Sequence, residues 1–286
     1  IDQFLMRGGS VVALAGRYRI DQGQQGLTVT PEDPGLFDLL ATYGVTVPAA
    51  LVMDPQNARY PVPRIVRNGP FQMRKIDHIP YPMFPDIRPD GMTQGHATVA
   101  GLQSVSAPWG SPLVVDETAE GGPQLDVVLR TSSGTWRNTT AHIDPDLETY
   151  PDLGFAPSGD QKAEAVAVTM SGRFHSYFEE RENPMFSGAA EGTPGRHLTE
   201  SIADGRLVVI GSSEFVSDAV VQMALQGGID VHRGNLQFLQ NAIDWSVEDT
   251  GLLAIRTGGA FARTLDPLDD EAQSRIELVT FAITFG

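Results

Sequence analysis

Cysteine is absent from the 286 residues. That excludes disulfides, thiolate zinc sites, iron–sulfur clusters and a cysteine nucleophile, and it leaves the redox compartment undecided. Basic residues are few, 20 Lys and Arg against 36 Asp and Glu, for a net charge of −16. This balance disfavours nucleic acid and anionic membrane surfaces, which draw their affinity from Lys and Arg, and it also serves solubility. No apolar run reaches the roughly 18 residues that cross a bilayer, and no basic-then-apolar signal opens the chain. Neither G-x-G-x-x-G nor G-x-x-x-x-G-K-[ST] occurs, so no nucleotide fingerprint is encoded. The histidines His78, His96, His142, His175, His197 and His232 lack H-x-x-x-H or H-E-x-x-H spacing, which removes a helix-borne zinc site. No metal or cofactor is expected.

What is present is 41% hydrophobic and long enough to bury a full core in one large or two modest domains. A helix is expected over 1–7 and a strand over 10–16. Its run Val11-Val12-Ala13-Leu14-Ala15 reads as covered on both faces. A second helix takes Asp33 as N-cap, Leu36, Leu39, Leu40 and Tyr43 as its apolar face, and Gly44 as its left-handed end. Further strands are expected through Ala50–Met53, Leu125–Arg130, Ala163–Met170 and Leu207–Gly211. Helices are expected over 214–226 and 235–245, the latter with Asn235 as N-cap and Leu236, Leu239, Ala242 and Ile243 buried. Helices alternating with buried strands point to an α/β sheet with parallel strands at its centre. Pro61, Pro63, Pro70, Pro80, Pro82, Pro85 and Pro89 remove ladder donors and forbid helix interiors. The segment 61–89 is therefore expected to be an ordered but irregular excursion with short edge strands, a cover over the sheet edge or else a binding loop. Residues 182–199 read as an exposed loop, 258–270 as an acidic loop, and 276–285 as an apolar run, either a strand or the approach to a membrane helix.

The turn Gly211-Ser212-Ser213-Glu214 stands where an α/β protein places a nucleophile or holds an anion on helix N–H groups. It does not read G-x-S-x-G. A serine N-cap explains the same residues, and Glu214 in a first helical turn suits the dipole while repelling phosphate. Trp136 lies between polar stretches, Thr131–Gly134 with Ser132 and Arg137–Thr140, and so is the aromatic best placed to face a sugar; the alternative is a core position. Asp144, Asp146, Glu148 and Asp152 alternate like oxygen ligands. Thr149 replaces the EF-hand glycine and Phe155 the final glutamate, which leaves a solvated acidic turn or an opportunistic calcium site. The candidate ligand-binding residues are thus Ser212, Ser213, Glu214, Ser132 and Trp136, and no residue is assigned to catalysis.

The run Gly234-Asn235-Leu236-Gln237-Phe238-Leu239-Gln240-Asn241-Ala242-Ile243-Asp244-Trp245, followed by Leu252-Leu253-Ala254-Ile255-Arg256, resembles the "G-N-x-x-F-x-x-N-A-x-D-W … I-R" ending of the extracytoplasmic region of GldG-like proteins. These are auxiliary subunits of gliding-motility-type ABC transporters. Other segments follow in the family's order. They are Ile1–Gly9 with Val11–Ala15, Leu36–Gly44, Val105–Leu113, Leu129-Arg130-Thr131-Ser132, Ala165–Phe178 and Leu207–Phe215. The resemblance implies a class I glutamine amidotransferase-like (flavodoxin-like) fold, which without cysteine could not carry that reaction. It also implies a periplasmic location and anchoring to the inner membrane through helices outside this chain, one of them ahead of an upstream thioredoxin-like domain.

The expectation is therefore a mostly parallel α/β, amidotransferase-like domain over 1–257, lacking its upstream strands, with 258–286 leading toward a membrane helix. Ile1 opens inside a helical pattern, so the chain reads as a fragment. The expected role is non-enzymatic: binding or scaffolding of ABC transporter membrane and ATPase subunits or of a small-molecule or saccharide ligand, with room for an oligomer and no nucleic acid. The rivals are a carbohydrate-binding module on the same scaffold and a serine hydrolase using Ser212 or Ser213 with a distant histidine.

Overall fold

The computed structural model describes residues 1–23, 26–68, 71–116, 122–184, 197–227 and 231–247. The Leu252–Arg256 segment, the acidic loop at 258–270, the run at 276–285 and most of the loop at 182–199 lie outside the described residues. In chain order the elements are α1 (Asp2–Leu5), β1 (Ser10–Leu14), β2 (Tyr18–Gly23), β3 (Gly26–Pro31), α2 (Leu36–Thr42), β4 (Val45–Thr46), β5 (Leu51–Met53), β6 (Asn57–Asn68) and β7 (Phe71–Ile87). They continue with β8 (Val105–Ser106), β9 (Val114–Val115), β10 (Gln124–Arg130), β11 (Trp136–Asn138), β12 (Ala165–Gly172), β13 (Gly205–Ile210), α3 (Asp218–Gly227) and α4 (Val231–Ser246). Among the described residues no helix is long and apolar enough to cross a membrane.

The central sheet has the order β1-β13-β12-β10, and only β1 and β13 run parallel. The other strands form antiparallel ribbons and short pairs. This corrects the expectation of a mostly parallel, flavodoxin-like sheet. Parallel neighbours need a crossover, usually a helix, and no helix lies among residues 131–164 between β10 and β12. In the sheet β12 runs antiparallel to β10, and β13 antiparallel to β12.

Both faces of the sheet are nevertheless covered. On one, Ala13, Leu207, Val209, Val168 and Met170 pack with Leu5, Phe37, Leu40, Tyr43 and Phe174. On the other, Val208, Ile210, Val166 and Ala167 pack with Phe215, Phe238 and Ala242, joined by Val12, Leu14 and Trp245. A third cluster joins Trp109, Trp136, Tyr81, Phe84 and Phe155. Among the described residues β1 has a strand neighbour on one side only. The bond from the Ala15 N–H to the Ile210 carbonyl (2.7 Å) sets the phase: Val11, Ala13 and Ala15 turn their backbone toward β13, while Val12 and Leu14 turn theirs to the open edge.

The segment 61–89, expected to be irregular with short edge strands, instead lies largely in a long two-stranded ribbon of Asn57–Asn68 and Phe71–Ile87. Pro61 pairs with His78, Pro63 with Ile76 and Pro80 with Arg59, all of one parity. The prolines thus occupy pairs that exchange no N–H···O bonds, and the intervening pairs carry the ladder.

Helix α4 begins at Val231, so Asn235 is not its N-cap. Its inner face is Asn235, Phe238, Asn241, Ala242 and Trp245, three or four residues apart, whereas Leu236 is 48% and Ile243 46% exposed. Of the expected apolar face Ala242 is buried, while Leu236 and Ile243 turn outward. Likewise α3 starts at Asp218 rather than Glu214, and Ser217 caps it by accepting the Val220 N–H at 3.4 Å.

Candidate functional site

The β13–α3 turn is built from three side chains that each fasten a different loop. Ser212, fully buried, donates from Oγ to the Pro108 carbonyl (2.5 Å), and Ser213 Oγ donates to the Gly16 carbonyl (3.1 Å). Glu214 Oε1 accepts the Ile20 N–H at 3.1 Å in a buried site. Ser111 closes the gap, its N–H donating to the Gly211 carbonyl (2.6 Å) and its Oγ accepting the Arg17 N–H (3.1 Å). A Cβ on Gly16 would lie 2.5 Å from the Ser213 nitrogen, and one on Gly211 would overlap the Ser111 carbonyl oxygen. The crevice at the sheet's carboxyl end is therefore filled by main chain. Among the described residues neither serine is hydrogen-bonded to a histidine.

Ser132 and Trp136 belong to a second assembly. Asp54, fully buried, accepts the Gln56 N–H (2.8 Å), the Ser132 N–H (2.8 Å) and the Ser132 hydroxyl (2.5 Å). Nearby, Arg137 holds Glu164 bidentately, Nε and Nη2 each donating to one carboxylate oxygen at 2.8 Å, and Thr131 accepts the Glu164 N–H through Oγ1 at 2.9 Å. Trp136 pairs with Met53 across β11 and β5 and is 2% exposed. It faces the core, so the sugar-stacking reading loses its platform. Of the five candidates the structure brings Ser212, Ser213 and Glu214 together in one turn and sets Ser132 and Trp136 in another cluster.

The sequence reading missed Asp2, which is 3% exposed. Its Oδ1 accepts from the Tyr43 hydroxyl (2.8 Å) and the Tyr177 N–H (2.7 Å); its Oδ2 accepts from the Ser176 hydroxyl (2.8 Å) and Gln3 Nε2 (2.9 Å). Burial, then the hydrogen bond and the negative charge of Asp2, push the Tyr43 phenol far above its usual range. Four donors converging on one carboxylate make a satisfied anchor of α1, α2 and the loop after β12. His96 is held between Thr98 (Nδ1 to Oγ1, 2.8 Å) and Thr169 (Nε2 to Oγ1, 3.3 Å), and burial lowers its pKa.

Among the described residues no three His, Asp or Glu side chains converge as a metal ion requires. Asp146 instead accepts the N–H groups of Glu148 (3.1 Å) and Thr149 (3.0 Å). A cleft of about 630 Å³ opens where β1 and β13 begin, lined by Gly8, Ser10, Ser171, Asp204 and Arg206. One of about 350 Å³ is lined by Tyr43, Asp116, Pro123, Leu125 and Met170. Arg206 is engaged already, donating to the Trp245 carbonyl with its guanidinium 5.1 Å from the Trp245 ring centre.

A family model described as an ABC-type uncharacterized transport system (ABC_transp_aux) matches residues 1–242. The chain belongs to this ABC transport auxiliary family. A solved structure described as "mmIFT52 N-terminal domain" is similar over 86% of this chain and 68% of that one, at 16% identity and a TM-score of 0.38. No curated protein matches. In this auxiliary-family chain two of the segments singled out in the sequence make packing and hydrogen-bond contacts within the fold. Gly234, Asn235, Phe238, Asn241 and Trp245 form the inner face of α4, and Thr131 and Ser132 tie the end of β10 to Glu164 and Asp54.

Proposed function

We propose that this chain is a non-enzymatic scaffold within an ABC-type transport system, forming the extracytoplasmic, periplasmic part of a GldG-like auxiliary subunit. The carrying observation is the family match over residues 1–242. The interlocked turn at Ser212–Glu214 supports a scaffold, since side chains that would serve a ligand are spent on neighbouring main chain. The domain presents its surface to the membrane and ATPase subunits and passes that contact to the membrane portion.

The test is affinity purification of the full-length protein from its native membrane, with the co-purifying subunits identified by mass spectrometry. Recovery of a transporter permease and its ATPase in fixed ratio supports the reading. Recovery of the intact transporter without this protein, together with unimpaired transport in a deletion strain, overturns it.

A further inference from the structure

The whole-chain charge hides a local reversal. Arg59, Arg64, Arg67, Arg74 and Lys75 lie between Asn57 and Ile76, a stretch without Asp or Glu, in a chain of net charge −16. These residues sit on the β6–β7 ribbon. Its base is fixed, because Tyr60 and Tyr81 pack in the third core cluster, and farther out Gln72, Met73 and Lys75 are exposed. From the Tyr60–Ile79 pair to the Asn68–Phe71 pair the ribbon extends roughly 25 Å at 3.3 Å per residue.

The far half interleaves its cations with Ile65, Val66, Phe71 and Met73, and Met73 is 54% exposed. Register sets Arg64 opposite Lys75, a like-charge pair that costs stability unless an anion lies nearby; Lys75 reaches Asp77 at 3.1 Å along its own strand. The pairs Arg64–Lys75 and Val66–Met73 share one face of the ribbon, while Ile65–Arg74 and Arg67–Gln72 share the other. Both faces thus mix cations with apolar residues. A protein groove would need one dry face, whereas a lipid headgroup layer surrounds a ribbon on every side, phosphates meeting the cations and the acyl boundary taking the apolar side chains.

We propose that the β6–β7 ribbon is an arm that docks on an anionic lipid surface. The acidic body is repelled by such a surface, but the arm's reach exceeds the ~8 Å Debye length at physiological salt, so the tip engages while the body stands off. The inference needs no transporter subunit and stands or falls apart from the scaffold assignment.

The experiment is sedimentation of the full chain with phosphatidylcholine vesicles, with and without phosphatidylglycerol, across a salt series. Binding is expected only to the phosphatidylglycerol vesicles, weakening as salt rises. Partitioning should drop by roughly fivefold for each charge removed in Arg64→Gln, Arg67→Gln and Arg74→Gln, and Phe71→Ser should weaken it with charge unchanged. Circular dichroism melts establish that each variant is folded. Failure of the wild-type chain to bind, equal binding to both vesicle types, or folded variants that bind like wild type overturns the proposal. Capture on an acidic polypeptide such as polyglutamate without capture on the anionic vesicles also overturns it, in favour of an acidic protein partner.

Discussion

Gly234 on α4 meets the Ser104 carbonyl so closely that a Cβ would overlap the oxygen. The approach is what lets the neighbouring Asn235 reach across, its Oδ1 accepting the Ser106 N–H at 2.9 Å and its Nδ2 donating to the Phe215 carbonyl at 2.7 Å.

Gly234→Ala is therefore expected to destabilise. Inside an exposed helix the change would gain about 1 kcal/mol. Here overpacking against backbone, typically about 1–3 kcal/mol, decides the sign. Thermal melting checks it, and an unchanged or raised Tm would show that α4 does not pack so closely.

Asn235→Leu strands a buried N–H and a buried carbonyl, each worth about 1–3 kcal/mol when left unpaired. Leu236→Ser, one position along but exposed, should stay within about 0.5 kcal/mol. Urea unfolding of the two variants tests the phase of the helix directly, because the apolar-face reading predicts the opposite order.

Asp2 and Tyr43 should be coupled. Tyr43→Phe removes one of four donors to the carboxylate and Asp2→Ala removes their acceptor, so a double-mutant cycle should return an interaction on the order of 0.5–3 kcal/mol. The Tyr43 phenol is raised in the folded state, so the stability it contributes is present below the unfolded tyrosine value and is lost as pH rises above about 10. Phenolate absorbance from Tyr43 should accordingly emerge only with unfolding.

His96 carries the acid-side dependence. Its folded pKa is lowered by burial, so the unfolded chain binds the proton more readily. Stability from this group is complete above about 6.5 and falls as pH drops toward the lowered folded value. Urea midpoints of wild type and His96→Phe measured between neutral and mildly acid pH should differ in slope, the variant being flatter.

At the open edge of β1, the Val12 and Leu14 amides should exchange with solvent far faster than Ala13 and Ala15, whose N–H groups face β13. Hydrogen exchange read by NMR resolves the alternation. Equal protection of all four would show that another strand covers this edge.

Much of the fold was legible. The runs at Val11–Ala15, Ala165–Val168 and Leu207–Ile210 announce buried strands because four or more apolar residues in succession leave no wet face. Gly44 marks the end of α2 and adopts a φ of 86°. The candidate site was legible as a place but not as a role. Ser212, Ser213 and Glu214 do lie at the strand end, yet nothing local to them shows that Pro108, Gly16 and Ile20, all distant in sequence, would take their hydrogen bonds.

The sequence by itself determined where the buried strands of the central sheet lie, the absence of any thiol or nucleotide-motif chemistry, and the family, because each depends on residue types and their spacing along the chain. Three-dimensional structure alone decided strand direction, the buried side of α4 and the shape of the proline-rich ribbon. Direction depends on whether a helix spans the gap between strands. The α4 face depends on which flank meets unpaired backbone groups at Ser106 and Phe215. The ribbon exists because its prolines fall in register with pairs that need no N–H, and that matching is set across strands rather than along them.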